Sequence, residues 1–231
     1  MLQGLDFISE SELADWVNKH LDSEAVALSS GYQGKTLLYS ENNHKLVIKV
    51  PLGNFIFRPV NLALLRHEYR IYQQLQGMQA VPVCYGMANK QFLVIEFIEG
   101  HTIREKRPET DSEYYIKLLS AIKEMHDRKV AHFDLKRMEN LLVDKNNDPK
   151  IIDFGVSVLR KGGLHWLNQY LFKLAQQFDF NAWARHKYNK NMENLAQEDR
   201  QYYKKTAIEV ASKRIKRFYK DKILKKLRNR A

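Results

Sequence analysis

Residues 130–155, VAHFDLKRMENLLVDKNNDPKIIDFG, decide how this chain is read. The stretch opens with His132-Phe133-Asp134, carries Asn140 on the same loop and closes on Asp153-Phe154-Gly155. Between them, LLV and KIIDF have the apolar content of two short strands around a turn at Asn146-Asn147-Asp148-Pro149. Either acidic motif alone could be no more than the end of a strand. Both together, in this order and joined by a strand-turn-strand, supply carboxylates that can fix metal ions between phosphates and offset charge gathering on their oxygens.

Working outward, residues 25–51, AVALSSGYQGKTLLYSENNHKLVIKVP, read as strand, Gly-containing turn, strand, Asn-Asn-His turn, strand. Asn61 to Gln76 has helical periodicity through Leu62, Leu65, Tyr69 and Tyr72, and stops at Gly77. Residues 81–100, VPVCYGMANKQFLVIEFIEG, give two more strands around an Ala-Asn-Lys turn. Near the start, Ser9 and Glu12 form a capping box ahead of Leu13, Trp16, Val17 and Leu21, which predicts a short helix outside the main sheet. After Gly100 the pattern turns helical. Asp111 to Lys129 is amphipathic, with Tyr115, Leu118, Leu119, Ile122 and Met125 inward. From Arg160 only helical patterns follow, broken near Gly162-Gly163, Asp179 and Asn189–Asn191.

At 231 residues, 44% apolar and 11% aromatic, the chain can bury a real core and is not a disordered polymer. Its single cysteine, Cys84, excludes an internal disulfide, and no Cys/His cluster has zinc spacing, which fits a reducing compartment. No secretory signal pattern and no apolar run of spanning length appear, so a cytoplasmic protein is expected. Charge is unevenly spread. Residues 204–231 hold twelve Lys and Arg against Glu209 and Asp221, ten of the eleven net positive charges. Ile208, Ala211, Ile215, Phe218, Ile223 and Leu227 recur there at helical spacing. That segment reads either as a packed helix with a solvated basic face or as contact with an anionic membrane surface or phosphorylated glycolipid. Nucleic acid is the weakest of its candidate partners, since no groove-reading motif accompanies the charge.

The motif from His132 to Asn140 followed by Asp153-Phe154-Gly155 resembles the protein-kinase superfamily, over about residues 25–155. The resemblance implies a two-lobed α+β fold, with a small five-stranded antiparallel N-lobe, one main helix and a mainly helical C-lobe. It divides the chain into an N-terminal extension (1–24), an N-lobe (25–98) and a C-lobe with the basic C-terminal helix (99–231). ATP and Mg²⁺ would lie between the lobes, with Asp134 orienting an acceptor hydroxyl, and Asn140 and Asp153 holding metal. Ser29-x-Gly31-x-x-Gly34 matches the Gly-rich loop with Ser for the first Gly, small residues there letting backbone N–H groups approach phosphates. Lys49 matches the strand lysine on the α- and β-phosphates, and Glu68 its ion-pair partner. Backbone groups of Glu96 and Ile98 would meet adenine, with Ile95 behind the ring. Lys136 resembles the phosphate-contacting Lys of Ser/Thr protein kinases.

Four departures stand out. Five residues, Leu135 to Glu139, separate Asp134 from Asn140 where the family has four, so the loop should bulge or Asn140 shift. Phe133 replaces the Arg that pairs with an activation-loop phosphate, so phosphorylation there is not expected as a switch. No Ala-Pro-Glu follows Gly155, which leaves the peptide-substrate platform absent, and the C-terminal lobe is short. This compact outline resembles the lipopolysaccharide core kinases acting on heptose or 3-deoxy-manno-octulosonic acid, and the RIO kinases. The acceptor expected from it is a glycolipid sugar, handled peripherally at the inner membrane face. A serine/threonine protein kinase and an ATP-binding pseudokinase adaptor are the alternatives. Residues 178–191, FDFNAWARHKYNKN, interleave aromatics and bases, as in a sugar-phosphate site or a half-buried helix.

Overall fold

The computed structural model describes residues 2–31 and 34–205. The predicted basic helix therefore lies almost wholly outside the described residues. Five strands form one antiparallel sheet in the order β1-β2-β3-β5-β4: β1 (Ala27–Ser30), β2 (Gly34–Glu41), β3 (His44–Pro51), β4 (Cys84–Ala88) and β5 (Phe92–Glu96). Alternation along the strands decides what each face meets. Leu37, Tyr39, Leu46, Ile48 and Val50 share one face, buried under Leu13, Trp16 and Val17 of helix α1 (Glu10–His20). The Ser9–Glu12 capping box forms as expected, with Ser9 Oγ accepting from the Glu12 amide while Glu12 accepts from the Ser9 amide. Val47 and Lys49 point the other way, toward helix α2.

Helix α2 spans Phe57–Gln74, a turn earlier than its apolar periodicity suggests. Asn54 is the reason, because its side-chain oxygen accepts from the amides of Ile56 and Phe57 (3.1 and 3.2 Å). Leu65, Ile71 and Tyr72 of α2 join Leu93 and Ile95 of β5 in the main core. That core continues without a break into the second lobe through Tyr115, Leu118, Ile122 and Met125 of α3 (Glu113–Asp127).

Among the described residues the second lobe has two small sheets. β6 (Gly100–Thr102), β8 (Leu141–Asp144) and β9 (Pro149–Ile151) form one; β7 (Val130–Ala131) and β10 (Val158–Leu159) form the other. A Cβ at Gly100 would lie 2.1 Å from the Val143 carbonyl oxygen, so only glycine fits where the chain crosses between lobes.

Helix α4 (Trp166–Lys187) runs straight through Asp179, where the sequence suggests a break. Asp179 falls in step with Phe172, Ala175, Ala182 and His186, all buried. It therefore serves the interior and does not end the helix. The aromatic and basic run 178–191 is largely core. Trp183 Nε1 donates to the Tyr115 carbonyl (2.8 Å), Tyr115 Oη donates to the His186 carbonyl (3.1 Å), and Lys187 pairs with Asp199 (2.6 Å). No helix among the described residues is long and apolar enough to cross a membrane.

Candidate active site

Lys49 reaches the gap between sheet and α2, where its Nζ lies 2.6 Å from Glu68 Oε1 and 3.0 Å from Asp153 Oδ1. Three distant stretches thus meet at one ammonium. Burial alone would lower the Lys49 pKa, but the two carboxylates outweigh it and hold the ammonium above its usual value. Burial likewise pushes Asp153 up, and Lys49 overcomes it, keeping the carboxyl below its usual range. Glu68 Oε1 also accepts the Phe154 amide (3.2 Å), while the Phe154 ring is fully buried edge-on to Tyr72. The residue after Asp153 is thereby fastened to α2.

The loop bearing Asp134 starts at His132, whose Nε2 meets the Ile152 carbonyl (2.9 Å), one residue before Asp153. Lys136 is mostly exposed, with Nζ 3.6 Å from Asp134 Oδ1. Asn140 is buried and its Nδ2 donates to the Asp134 carbonyl (3.1 Å). The extra spacer residue is absorbed in a bulge and a 3₁₀ turn at Met138–Asn140. The Arg137 amide donates to the Asp134 carbonyl and the Asn140 amide to the Arg137 carbonyl, both at 3.2 Å. Glu139 pairs with Arg104, and Arg107 Nη2 lies 3.0 Å from Met138 Sδ. The lengthened loop is tied down on its outer side as well as its inner one.

Asp179, fully buried on α4, was not anticipated as a site residue. Its two oxygens accept the His132 and Phe133 amides, each at 2.8 Å, and Oδ2 lies 3.0 Å from His126 Nε2. Phe133 sits at φ +70° and Asp153 at φ +67°, a region costing a non-glycine residue about 1–3 kcal/mol and held where surroundings over-determine it. The signal for Asp179 lay in an acid occurring on an apolar helical stripe. Only residues 156–165 separate Gly155 from α4, as the missing Ala-Pro-Glu implied. That segment is fastened too: the Ser157 carbonyl bonds His67 (2.8 Å) of α2, and the Arg160 amide donates to the Lys129 carbonyl (2.8 Å).

A cleft of about 480 Å³ is lined by Gly31, Gly34, Lys35, Lys49, Glu68, Arg137, Asp153 and Gly155. A Cβ on Gly34 would meet the Val50 carbonyl oxygen at 2.6 Å, so this glycine is needed by the β2–β3 contact itself. Glu96 and Ile98 bracket the crossing between lobes. Glu96 both donates its amide to the Val83 carbonyl (2.8 Å) and accepts the Val83 amide (2.9 Å), and Ile98 is half-buried. A larger cavity, about 740 Å³, lies behind this crossing, lined by Met78, Val81, Cys84, Lys117 and Lys150, away from the Lys49 cluster.

The donor set suits Mg²⁺. Asp153 offers carboxylate oxygen, and Asn140, with its Nδ2 engaged, keeps Oδ1 as an acceptor. Among the described residues no group of three or more His, Cys, Asp and Glu could hold a metal. One or two protein oxygens completed by substrate phosphates and water is how Mg²⁺ is commonly held.

The protein kinase domain family matches residues 28–172, more than half of the chain, and the chain belongs to that family. It is 35% identical over 148 residues to a CBL-interacting serine/threonine-protein kinase 5 of Arabidopsis thaliana, covering 58% of this chain and 32% of that protein. CBL-interacting protein kinase 10 of Oryza sativa subsp. japonica is 31% identical over 136 residues, 55% of this chain and 29% of that protein. The hormonally up-regulated neu tumor-associated kinase of Homo sapiens is 43% identical over 102 residues, 40% of this chain and 14% of that protein. The matched segments thus span a third or less of these relatives. The family's chemistry is phosphoryl transfer with ATP and Mg²⁺.

Proposed function

We propose that the chain is an ATP-dependent protein kinase that phosphorylates serine or threonine hydroxyls. The observation that carries this is Lys49 held between Glu68 and Asp153, with Asp134 and Asn140 on the loop that His132 ties to Ile152. Lys49 holds phosphates, Glu68 keeps Lys49 aimed, and Gly31 and Gly34 edge the roof of the cleft. Backbone groups of Glu96 and Ile98 take adenine. Mg²⁺ bound by Asn140 and Asp153 would supply positive charge against the phosphates. Asp134 orients the acceptor hydroxyl and takes its proton, which passes on to solvent. The hydroxyl oxygen forms the new bond to the γ-phosphorus as the bond to the β–γ bridging oxygen breaks, and ADP leaves with that electron pair. Lys136, beside Asp134, offers its ammonium to the transferring group.

The glycolipid acceptor rested on small size, a missing peptide platform and a basic C-terminus. The named relatives support a protein acceptor instead. The pseudokinase reading rested on the five-residue spacer. Contact between Asn140 and the Asp134 carbonyl despite that spacer favours an active enzyme.

Radiolabelled ATP offered both to a protein extract and to membrane glycolipid tests the proposal, with wild type beside Asp134→Asn. Label should enter protein, from wild type only, while the variant still binds nucleotide. Label confined to glycolipid, or turnover retained by Asp134→Asn, would refute it.

A further inference from the structure

Of the three basic side chains that line the nucleotide cleft, two are already engaged. Lys49 is shared between two carboxylates, Glu68 and Asp153. Lys35, which also lines the cleft, is buried, and its Nζ is spent on the Leu21 and Ser23 carbonyls (2.9 and 3.3 Å). A nucleotide's phosphates bring several negative charges to this place, and more charge spreads over the transferring group as it moves.

We propose that Arg137, in the middle of the lengthened spacer, contacts the phosphoryl group during transfer and stabilises the charge on its oxygens. The inference rests on the kinase reading above. Arg137 lines the cleft together with Lys49, Asp153, Gly155 and the glycines of the roof. Every other polar neighbour on its loop is engaged: Lys136 lies by Asp134, Glu139 pairs with Arg104, and Asn140 donates to the Asp134 carbonyl. Among the described residues the Arg137 guanidinium makes no hydrogen bond and no close ion pair, although its charge is felt by Asp153 across the cleft and by Glu139. Its backbone, by contrast, is held on both sides, by the Asp134 carbonyl and the Asn140 amide. A side chain free at its tip and fixed at its root can swing to a ligand without cost to the loop. The planar guanidinium also matches phosphate oxygens two at a time, as an ammonium does not. The bulge forced by the fifth spacer residue thus carries a cation into the cleft. The bland alternative, a solvated surface arginine, predicts no effect on the reacting group.

The experiment compares wild type, Arg137→Ala and Arg137→Lys by calorimetry, with MgADP and with MgADP plus aluminium fluoride, which mimics the phosphoryl group in flight. Arg137 is exposed and unpaired among the described residues, so the variants should fold, with urea midpoints checking this. Arg137→Ala should weaken the fluoride-bound state on the order of 10²-fold, the scale of one lost transition-state donor. MgADP alone should change by no more than about threefold, since contacts to the ground state remain. Arg137→Lys should fall between, keeping charge without the fork. In turnover, kcat should drop while KM for ATP holds. An Arg137→Ala that binds the mimic as wild type does, or loses MgADP equally, would overturn the proposal. Wild type unable to bind MgADP at all would instead overturn the kinase reading, and this inference with it.

Discussion

Replacing Asp179 should damage the protein out of proportion to its distance from the reacting atoms. Asp179 is fully buried and accepts from the amides of His132 and Phe133 while bonding His126. Asp179→Ala leaves two buried groups, the His132 amide and His126 Nε2, without a partner, each costing about 1–3 kcal/mol, or about 2–6 kcal/mol together, and frees the part-buried Phe133 amide as well. A domain of this kind has only about 5–15 kcal/mol in total. The same change releases Phe133 from φ +70°, so the loop is free to relax toward ordinary backbone angles and carry Asp134 out of position. Asp179→Asn keeps one acceptor oxygen and turns the other into a donor facing an N–H, so it should lose roughly half as much stability. Urea unfolding read at constant m separates stability from compactness. Under folding conditions kcat should fall at least about tenfold while nucleotide affinity, which the proposed function assigns to Lys49 and the cleft glycines, stays near wild type. Should Asp179→Ala unfold within about 1 kcal/mol of wild type, the anchoring argument is wrong.

Three further outcomes follow from the same geometry. Lys49→Met strands the buried Glu68 and should cost about 3–5 kcal/mol in urea unfolding as well as nucleotide binding. Burial raises the Cys84 thiol to about 11, so alkylation at pH 8 should be slow in the native protein and fast only in denaturant. Burial also lowers the His186 pKa below 6.5, against a hydrogen bond to the Leu135 carbonyl that pulls upward. The unfolded chain then binds the proton first. The stability this residue contributes is complete above about pH 6.5 and is lost as pH falls toward the lower folded value, a loss that His186→Gln should remove from the unfolding profile.

Most of the N-lobe was legible because its signals are local. Turn residues between apolar runs marked the strands, a capping box marked α1, and the family resemblance, not strand alternation, paired Lys49 with Glu68. Asp134, Asn140 and Asp153 could be singled out because one short segment carries all three. What stayed hidden was tertiary. Asn54 starts α2 early through a side-chain bond that periodicity does not record. Asp179 reads as a helix breaker only if polarity implies exposure; its partners are backbone amides some 46 residues upstream. The spacer's fate depended on Arg104 and Arg107, which no motif ties to that loop. The aromatic and basic run around Trp183 resembled a ligand site because amphipathic core and binding surface share a composition.

The segment between Gly155 and α4 has a consequence for time courses. Its residues, VSVLRKGGLH, contain one hydroxyl, Ser157, which is buried and donates to the His132 carbonyl (3.3 Å). No hydroxyl in this segment is open to a second enzyme molecule, so priming by a neighbour cannot occur here. Phosphorylation of this segment should therefore contribute no lag to product accumulation. After standing in ATP, residues 156–165 should carry no phosphate by mass spectrometry, in dilute and concentrated protein alike.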